Sequence, residues 1–209
     1  MINNLFDLLD DWRCLPAYQL ERRADIFFAI HMPLIFKKHF NEDVIDIIPE
    51  FPIRIGTIKK DIPINKSYKI DYTVFTRTNK VYLVELKTDD DSTRDNQDNY
   101  YKESIACGFN NILSGVLDIN DATSDKYKGK YAYLIDKLIK NGSLTVQNGK
   151  IEISNKYNFN KEVVFIIPNE KPLHFASILS FNKIIELLEP EEDALTKRFV
   201  KSLIQWKLK

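Results

Sequence analysis

The chain has 209 residues, 44% of them hydrophobic and 29% charged, with 30 basic groups against 30 acidic ones. That length fits one ordinary domain able to bury a core, and aromatics at 12% with only 6 glycines and 8 prolines exclude a disordered or low-complexity chain. A formal net charge of zero argues against coating nucleic acid by bulk electrostatics, yet leaves room for an enzyme that grips a few phosphates locally.

No apolar run approaches the roughly 20 residues that span a bilayer. The opening MINNLFDLLDDW has neither the basic stretch nor the small-residue cleavage site of a signal peptide. Cys14 and Cys107 lack metal-type spacing, so the expectation is a cytoplasmic protein with reduced thiols.

Leu5, Leu8, Leu9 and Trp12 recur at helical spacing and predict a short amphipathic helix over 2–12. A second helix is predicted from about Ala17 to Phe40, kinked or divided at Pro33, which lacks a backbone donor. The period then changes to alternation, predicting a strand from Phe51 to Ile58. Tyr68–Arg77 and Val81–Thr88 read as a hairpin turning through Thr78-Asn79-Lys80. A long helix is expected from Asp95 to Ile119, entered through the polar run Asp89-Asp90-Asp91-Ser92-Thr93, and another over 126–140, stopped by Asn141-Gly142.

Asn148-Gly149 between short apolar stretches predicts a small hairpin over Leu144–Ile153. Val163–Ile167 is a buried strand by its unbroken apolar run, Phe175–Leu179 is a further strand, and Glu191 to Lys209 closes with a helix. The mixed order of helices and strands predicts an α/β domain: a central mixed sheet flanked by helices, with core order helix-strand-strand-strand-helix-strand. With no repeat and no linker, the chain reads as a single domain over 1–209, its core at about 17–168.

The most informative stretch is Lys69-Ile70-Asp71-Tyr72 followed by Val84-Glu85-Leu86-Lys87-Thr88. With the turn at Thr78-Asn79-Lys80, Arg77 faces Val81 and Asp71 faces Lys87. Alternation then puts Asp71, Thr73, Glu85 and Lys87 on one face of the hairpin. A two-residue turn would move Asp71 to the other face. Buried charges cost several kcal/mol each unless they are paired or bind a metal. Oxygen ligands of this kind suit Mg²⁺ or Mn²⁺, and a nearby lysine can position water and stabilise developing charge. The plain alternative is a salt bridge between Lys87 and one acid at a strand end.

Asp71, followed after 13 residues by Glu85-Leu86-Lys87, resembles the D…(D/E)-x-K signature of the PD-(D/E)XK nuclease superfamily. Gln97-Asp98-Asn99-Tyr100-Tyr101 resembles the Q-x-x-x-Y helix motif of its RecB-like branch, and a spacing of four puts Gln97 and Tyr101 on one helical face. Ile70 stands where the family more often has proline. The resemblance implies a restriction-endonuclease-like fold and a Mg²⁺- or Mn²⁺-dependent hydrolase cleaving DNA. It implies Asp71, Glu85 and the Leu86 carbonyl on the metal, Lys87 acting on the attacking water, and Gln97 and Tyr101 positioning substrate. An extra acid from the first core helix is usual in the family; Glu21 is the candidate, with Glu50 a poorer one. A homodimer or a larger defence or repair assembly stays open as the setting. The competing expectation is an inactive module of the same fold that binds protein or nucleic acid.

Other features weigh less. His31, His39 and His174 share no ligand spacing, which disfavours zinc. The acidic run around Arg94 could hold a second cation, though helix capping explains it as well. Lys197, Arg198, Lys201, Lys207 and Lys209 read as the solvated basic face of an amphipathic helix.

Overall fold

The computed structural model describes residues 1–59, 66–89, 95–157, 161–170 and 173–207, without the side chains of 95–98. The helices are α1 (Ile2–Trp12), α2 (Glu21–Phe40), α3 (Ile55–Ile58), α4 (Asp95–Ala106), α5 (Phe109–Ala122), α6 (Asp125–Lys140), α7 (Phe181–Leu188) and α8 (Ala194–Trp206). The strands are β1 (Val44–Arg54), β2 (Ser67–Thr76), β3 (Val81–Leu86), β4 (Leu144–Gln147), β5 (Lys150–Ile153), β6 (Lys161–Ile167) and β7 (Ser177–Ser180). Five of them form one sheet in the order β1-β2-β3-β6-β7, while β4 and β5 pair separately. The large sheet is mixed: β2 and β3 form a tight hairpin, whereas β6 and β7 run parallel. The chain is thus α/β, with a five-stranded mixed sheet and flanking helices, as its pattern predicts.

The chain divides into two compact units, one of Met1–Val44, Val84–Thr93 and Val164–Lys209, the other of Ile45–Leu83 and Arg94–Val163. In the first, α1, α2, α7 and α8 bury an aromatic cluster. The ring of Phe6 lies 4.3 Å from Phe27, and Phe28 meets Phe199 edge-on at 5.1 Å. Such pairs add about 0.5–1.5 kcal/mol each beyond their burial. The helix starts are chemically marked: Ser180 and Asp193 cap α7 and α8 by accepting from the N–H groups of Lys183 (3.2 Å) and Thr196 (2.9 Å).

Helix α2 runs undivided through Pro33, so of the two expectations, kink or division, division does not occur. Pro33 lies on the exposed side, where water can satisfy the backbone acceptor it leaves unpaired. Helix α8 differs from expectation too: Arg198 points inward and is buried rather than sharing a solvated basic face. Lys209 lies outside the described residues.

In the second unit, Phe51, Phe75, Phe109 and Tyr157 are fully or nearly fully buried and meet one another at ring distances of 5.2–6.5 Å. The strand expected from Phe51 to Ile58 begins earlier, at Val44, and gives way to the helical turn α3. The expected long helix over 95–119 is two helices, α4 and α5, separated at Cys107-Gly108. The end of α4 is held by Lys161, whose ammonium donates to the carbonyls of Ser104 (2.8 Å), Ile105 (3.1 Å) and Cys107. A cation here complements the helix dipole. Burial lowers the pKa of Lys161 from its usual value, a desolvation cost that the three carbonyls offset.

Asn148 and Gly149 both take positive φ (51° and 75°), joining β4 to β5 as the Asn-Gly pair predicts. The hairpin before β3 turns through Arg77-Thr78-Asn79, one residue earlier than the spacing suggests. Asn79 N–H donates to the Thr76 carbonyl and Thr76 N–H to the Lys80 carbonyl, both at 3.1 Å, with Asn79 left-handed at φ 64°. Asn tolerates that conformation, and Thr76 Oγ1 accepts from Lys80 N–H at 3.2 Å. Thr76 therefore stands opposite Lys80, where the expected partners were Arg77 and Val81. The pairing shifts by two positions in total, so every side chain keeps its face.

Gly115 brings α5 against α3: a Cβ there would meet the Thr57 hydroxyl and come within 3.1 Å of Arg54 Cβ. Gly115→Ala is expected to destabilise by about 1–2 kcal/mol, because overpacking exceeds the gain in helix propensity. Urea unfolding checks it; an unchanged or raised midpoint would show that the contact relaxes freely.

Candidate functional site

All six residues of β3, Val-Tyr-Leu-Val-Glu-Leu, are buried, and β3 has a strand on either side. An apolar run of this kind is what a doubly covered central strand requires. Glu85 breaks it. Its side chain has 0% exposure, and its carboxylate is joined by the ammonium of Lys87, itself 8% exposed. The Lys87 backbone N–H donates to the Ile166 carbonyl at 2.8 Å, which fixes the residue just beyond the end of β3. Glu21, the first residue of α2, puts a second carboxylate 3.8 Å from the same ammonium. Two acids thus converge on one buried lysine, all within the first unit.

The pairing is a physical necessity. A carboxylate removed from water without a counter-charge costs several kcal/mol, and Lys87 is the charge that Glu85 meets. The sequence places Glu85 and Lys87 two apart on one strand face, and the ion pair follows from that spacing. Glu21 had no such local signal; it reaches the site because α2 begins beside the end of β3.

The remaining sequence-selected residues have the following places in the fold. Asp71 is half-buried on β2. Leu86 buries its side chain at the end of β3. Tyr101 lies on α4 and is fully buried, with the ring of Tyr68 edge-on at 5.7 Å. Gln97 also lies on α4, but its side chain falls outside the described residues, as do Asp90, Asp91 and Arg94 of the acidic run. Glu50 is exposed, at a left-handed φ of 51°, and its charge acts on Lys69. No group of three or more His, Cys, Asp or Glu side chains among the described residues is arranged as a metal site.

His31 is structural. Its ring nitrogens hydrogen-bond the Phe27 carbonyl (2.7 Å) and Thr196 Oγ1 (3.0 Å), and the ring stacks on Phe199 at 4.6 Å. Among the described residues no helix is long and apolar enough to cross a membrane.

The first unit also holds a cavity of about 250 Å³ lined by Arg13, Cys14, Tyr18, Leu20, Asp89 and Trp206. Sequence reasoning missed it, because its walls come from three separated segments with no shared motif. No family model, no curated protein and no solved structure matches the chain.

Proposed function

We propose that the protein is a divalent-metal-dependent nuclease that hydrolyses phosphodiester bonds of DNA, on a restriction-endonuclease-like arrangement of its α/β sheet. The observation that carries the reading is the buried Glu85–Lys87 pair with Glu21 alongside, at the end of a central strand. A fold with no use for ionised groups there is better served by apolar ones.

The reading takes Asp71 from β2, the strand next to β3. Asp71, Glu85 and the Leu86 carbonyl are hard oxygen donors, which is the donor set that Mg²⁺ and Mn²⁺ prefer. When bound, the metal supplies a Lewis acid for the phosphate and lowers the pKa of water. Lys87 supports the charge that develops on the attacked phosphate and holds the water, while Glu21 keeps the ammonium in place. Gln97 and Tyr101 act, in this reading, as positioning residues on α4.

The second reading is a binding module of the same fold. It is favoured by a specific observation: Lys87 already neutralises Glu85, which makes the pair complete without a metal. Incubation with circular single-stranded and linear duplex DNA, in Mg²⁺, Mn²⁺ or EDTA, separates the two. Cleavage in either metal that EDTA stops supports the nuclease; inertness on every DNA form with both metals supports the module. Mg²⁺ or Mn²⁺ should also raise the melting temperature by binding the native state, and Asp71→Ala with Glu85→Ala should abolish that rise. A metal-induced shift unaltered in the double variant would move the site elsewhere.

A further inference from the structure

We propose that the outer face of α1 is a self-association surface, through which two copies of this chain pair in an antiparallel helix–helix contact. The inference is independent of the nuclease reading. Helix α1 buries Phe6 and Leu9 on its inner side. Leu5, Leu8 and Trp12 keep 42–47% of their surface in water, and Leu15, in the turn that follows, keeps 55%. That turn continues the rod: the N–H groups of Cys14 and Leu15 donate to the carbonyls of Asp11 (3.2 Å) and Trp12 (2.9 Å). A stripe of four large apolar side chains thus stays exposed on an element whose other side is already packed. Exposed apolar surface gathered in this way marks an interaction site.

The spacing identifies what covers it. Positions 5, 8, 12 and 15 alternate steps of three and four, which is the seam of a helix that packs against another helix. The series also reads the same in both directions. A two-fold axis level with position 10 sets Leu5 opposite Leu15 and Leu8 opposite Trp12 of a second copy. One face is then its own complement, as an isologous contact requires.

Area and charge fit the same occupant. At about 100 Å² for half of a large side chain, the stripe offers roughly 400 Å² of apolar surface per copy. A standard interface of about 800 Å² per partner is a little over half apolar, so the stripe supplies most of that share. Exposed Asn4 and Asp11 beside it belong to the polar rim. A helix that lies on an anionic membrane carries Lys or Arg on its polar face, and α1 has neither. Of its three acids, Asp7 and Asp10 are bonded to Arg198 of the same chain, which leaves little like-charge cost when two α1 helices meet.

The test is sedimentation velocity of the full chain across the micromolar range, beside hydrogen exchange of the peptide spanning residues 1–15 at low and high concentration. The expected result is a mass that rises from one chain to two, with exchange in α1 slowing in step. Each substitution enters the contact twice, so Leu8→Ala should weaken pairing by at least about tenfold, and Leu8→Glu should leave a monomer. Ile151→Glu, at a similarly exposed apolar position on β5, should pair as the wild type does. Vesicles of phosphatidylcholine and phosphatidylglycerol, the lipid alternative, should not retain the chain.

A wild type that stays monomeric throughout overturns the proposal, as does retention by the vesicles. Pairing that Leu8→Glu leaves intact, or that Ile151→Glu abolishes equally, overturns it as well. The wild-type exchange stands whether or not a variant folds: a dimer in which α1 exchanges no more slowly than in the monomer places the contact elsewhere and sinks the assignment.

Discussion

Lys87→Ala is expected to lower stability in EDTA by about 3–5 kcal/mol, because it removes the charge that joins a fully buried carboxylate. For a chain of 209 residues that corresponds to a fall in melting temperature of roughly 10 °C. Glu21 cannot compensate, being an acid itself. What Mg²⁺ then does separates the two functional readings. If Glu85 is a metal ligand, saturating Mg²⁺ restores the variant toward wild-type stability while cleavage stays about a hundred- to a thousandfold down, the usual loss for one electrostatic element of a transition state. If the pair is only structural, Mg²⁺ leaves the deficit untouched. Melting curves and cleavage rates of wild type and variant, each with metal and with EDTA, read both quantities. A stable variant cleaving at the wild-type rate would remove Lys87 from the proposed chemistry.

The control is Glu85→Met combined with Lys87→Met, which replaces both charged groups by apolar ones of similar volume. Where an ion pair is buried, such a replacement is often neutral or stabilising. A double variant that folds as well as the wild type but cannot cleave would mean that the pair is kept for chemistry. One that loses several kcal/mol would mean that the pair holds the end of β3 in place.

The parts of the architecture that follow from local chemistry were legible in the sequence. The β2–β3 hairpin, β4–β5 with its Asn-Gly turn, and the apolar run of β6 all occupy their expected segments within a few residues. Side-chain alternation also survived an error in the turn: moving it from Thr78-Asn79-Lys80 to Arg77-Thr78-Asn79 shifts the pairing by two, which returns every residue to its face. The errors arose where tertiary surroundings overrode a local rule. Pro33 sits inside an unbroken α2 because its defect faces water, and the continuous helical pattern over 95–119 is cut at Cys107-Gly108.

The candidate site was legible only in part, for a related reason. Glu85 and Lys87 are two residues apart at the end of one strand, so their encounter is a local fact. Glu21 meets them across sixty-odd residues of sequence, and nothing within Glu21-Arg22-Arg23 announces it. The cavity is further still from any local signal, since Arg13, Asp89 and Trp206 come from distant segments. Arg198 shows the converse. Its place among Lys197 and Lys201 suggested a solvated cation, and only the fold reveals the acids that draw it inward.

Those acids carry the second large effect. Asp10, at the inner side of α1, accepts from three donors on α8: Trp206 Nε1 at 2.7 Å, Arg198 at 2.8 Å and the Ser202 hydroxyl at 3.1 Å. Its side chain is 12% exposed and that of Arg198 only 7%, so water is a poor substitute for either. Asp10→Ala should cost about 3–4 kcal/mol, since it strands an indole N–H and removes one of the two carboxylates around a buried guanidinium. Asp7 keeps its own bond to Arg198 at 2.7 Å, but at 66% exposure it is too solvated to replace the lost partner. Asp10→Asn should be nearly as damaging. Trp206 and Arg198 donate to different oxygens of Asp10, and an amide has one carbonyl oxygen, so its NH₂ must face a donor. Arg198→Met should cost less than Asp10→Ala, because it leaves no stranded cation and its stem can still pack against Phe6. Urea unfolding followed by tryptophan fluorescence reads the global loss and the environment of Trp206 together. If Asp10→Asn proves as stable as the wild type, the network is a surface ornament and α1 is held on α8 by its aromatic contacts alone.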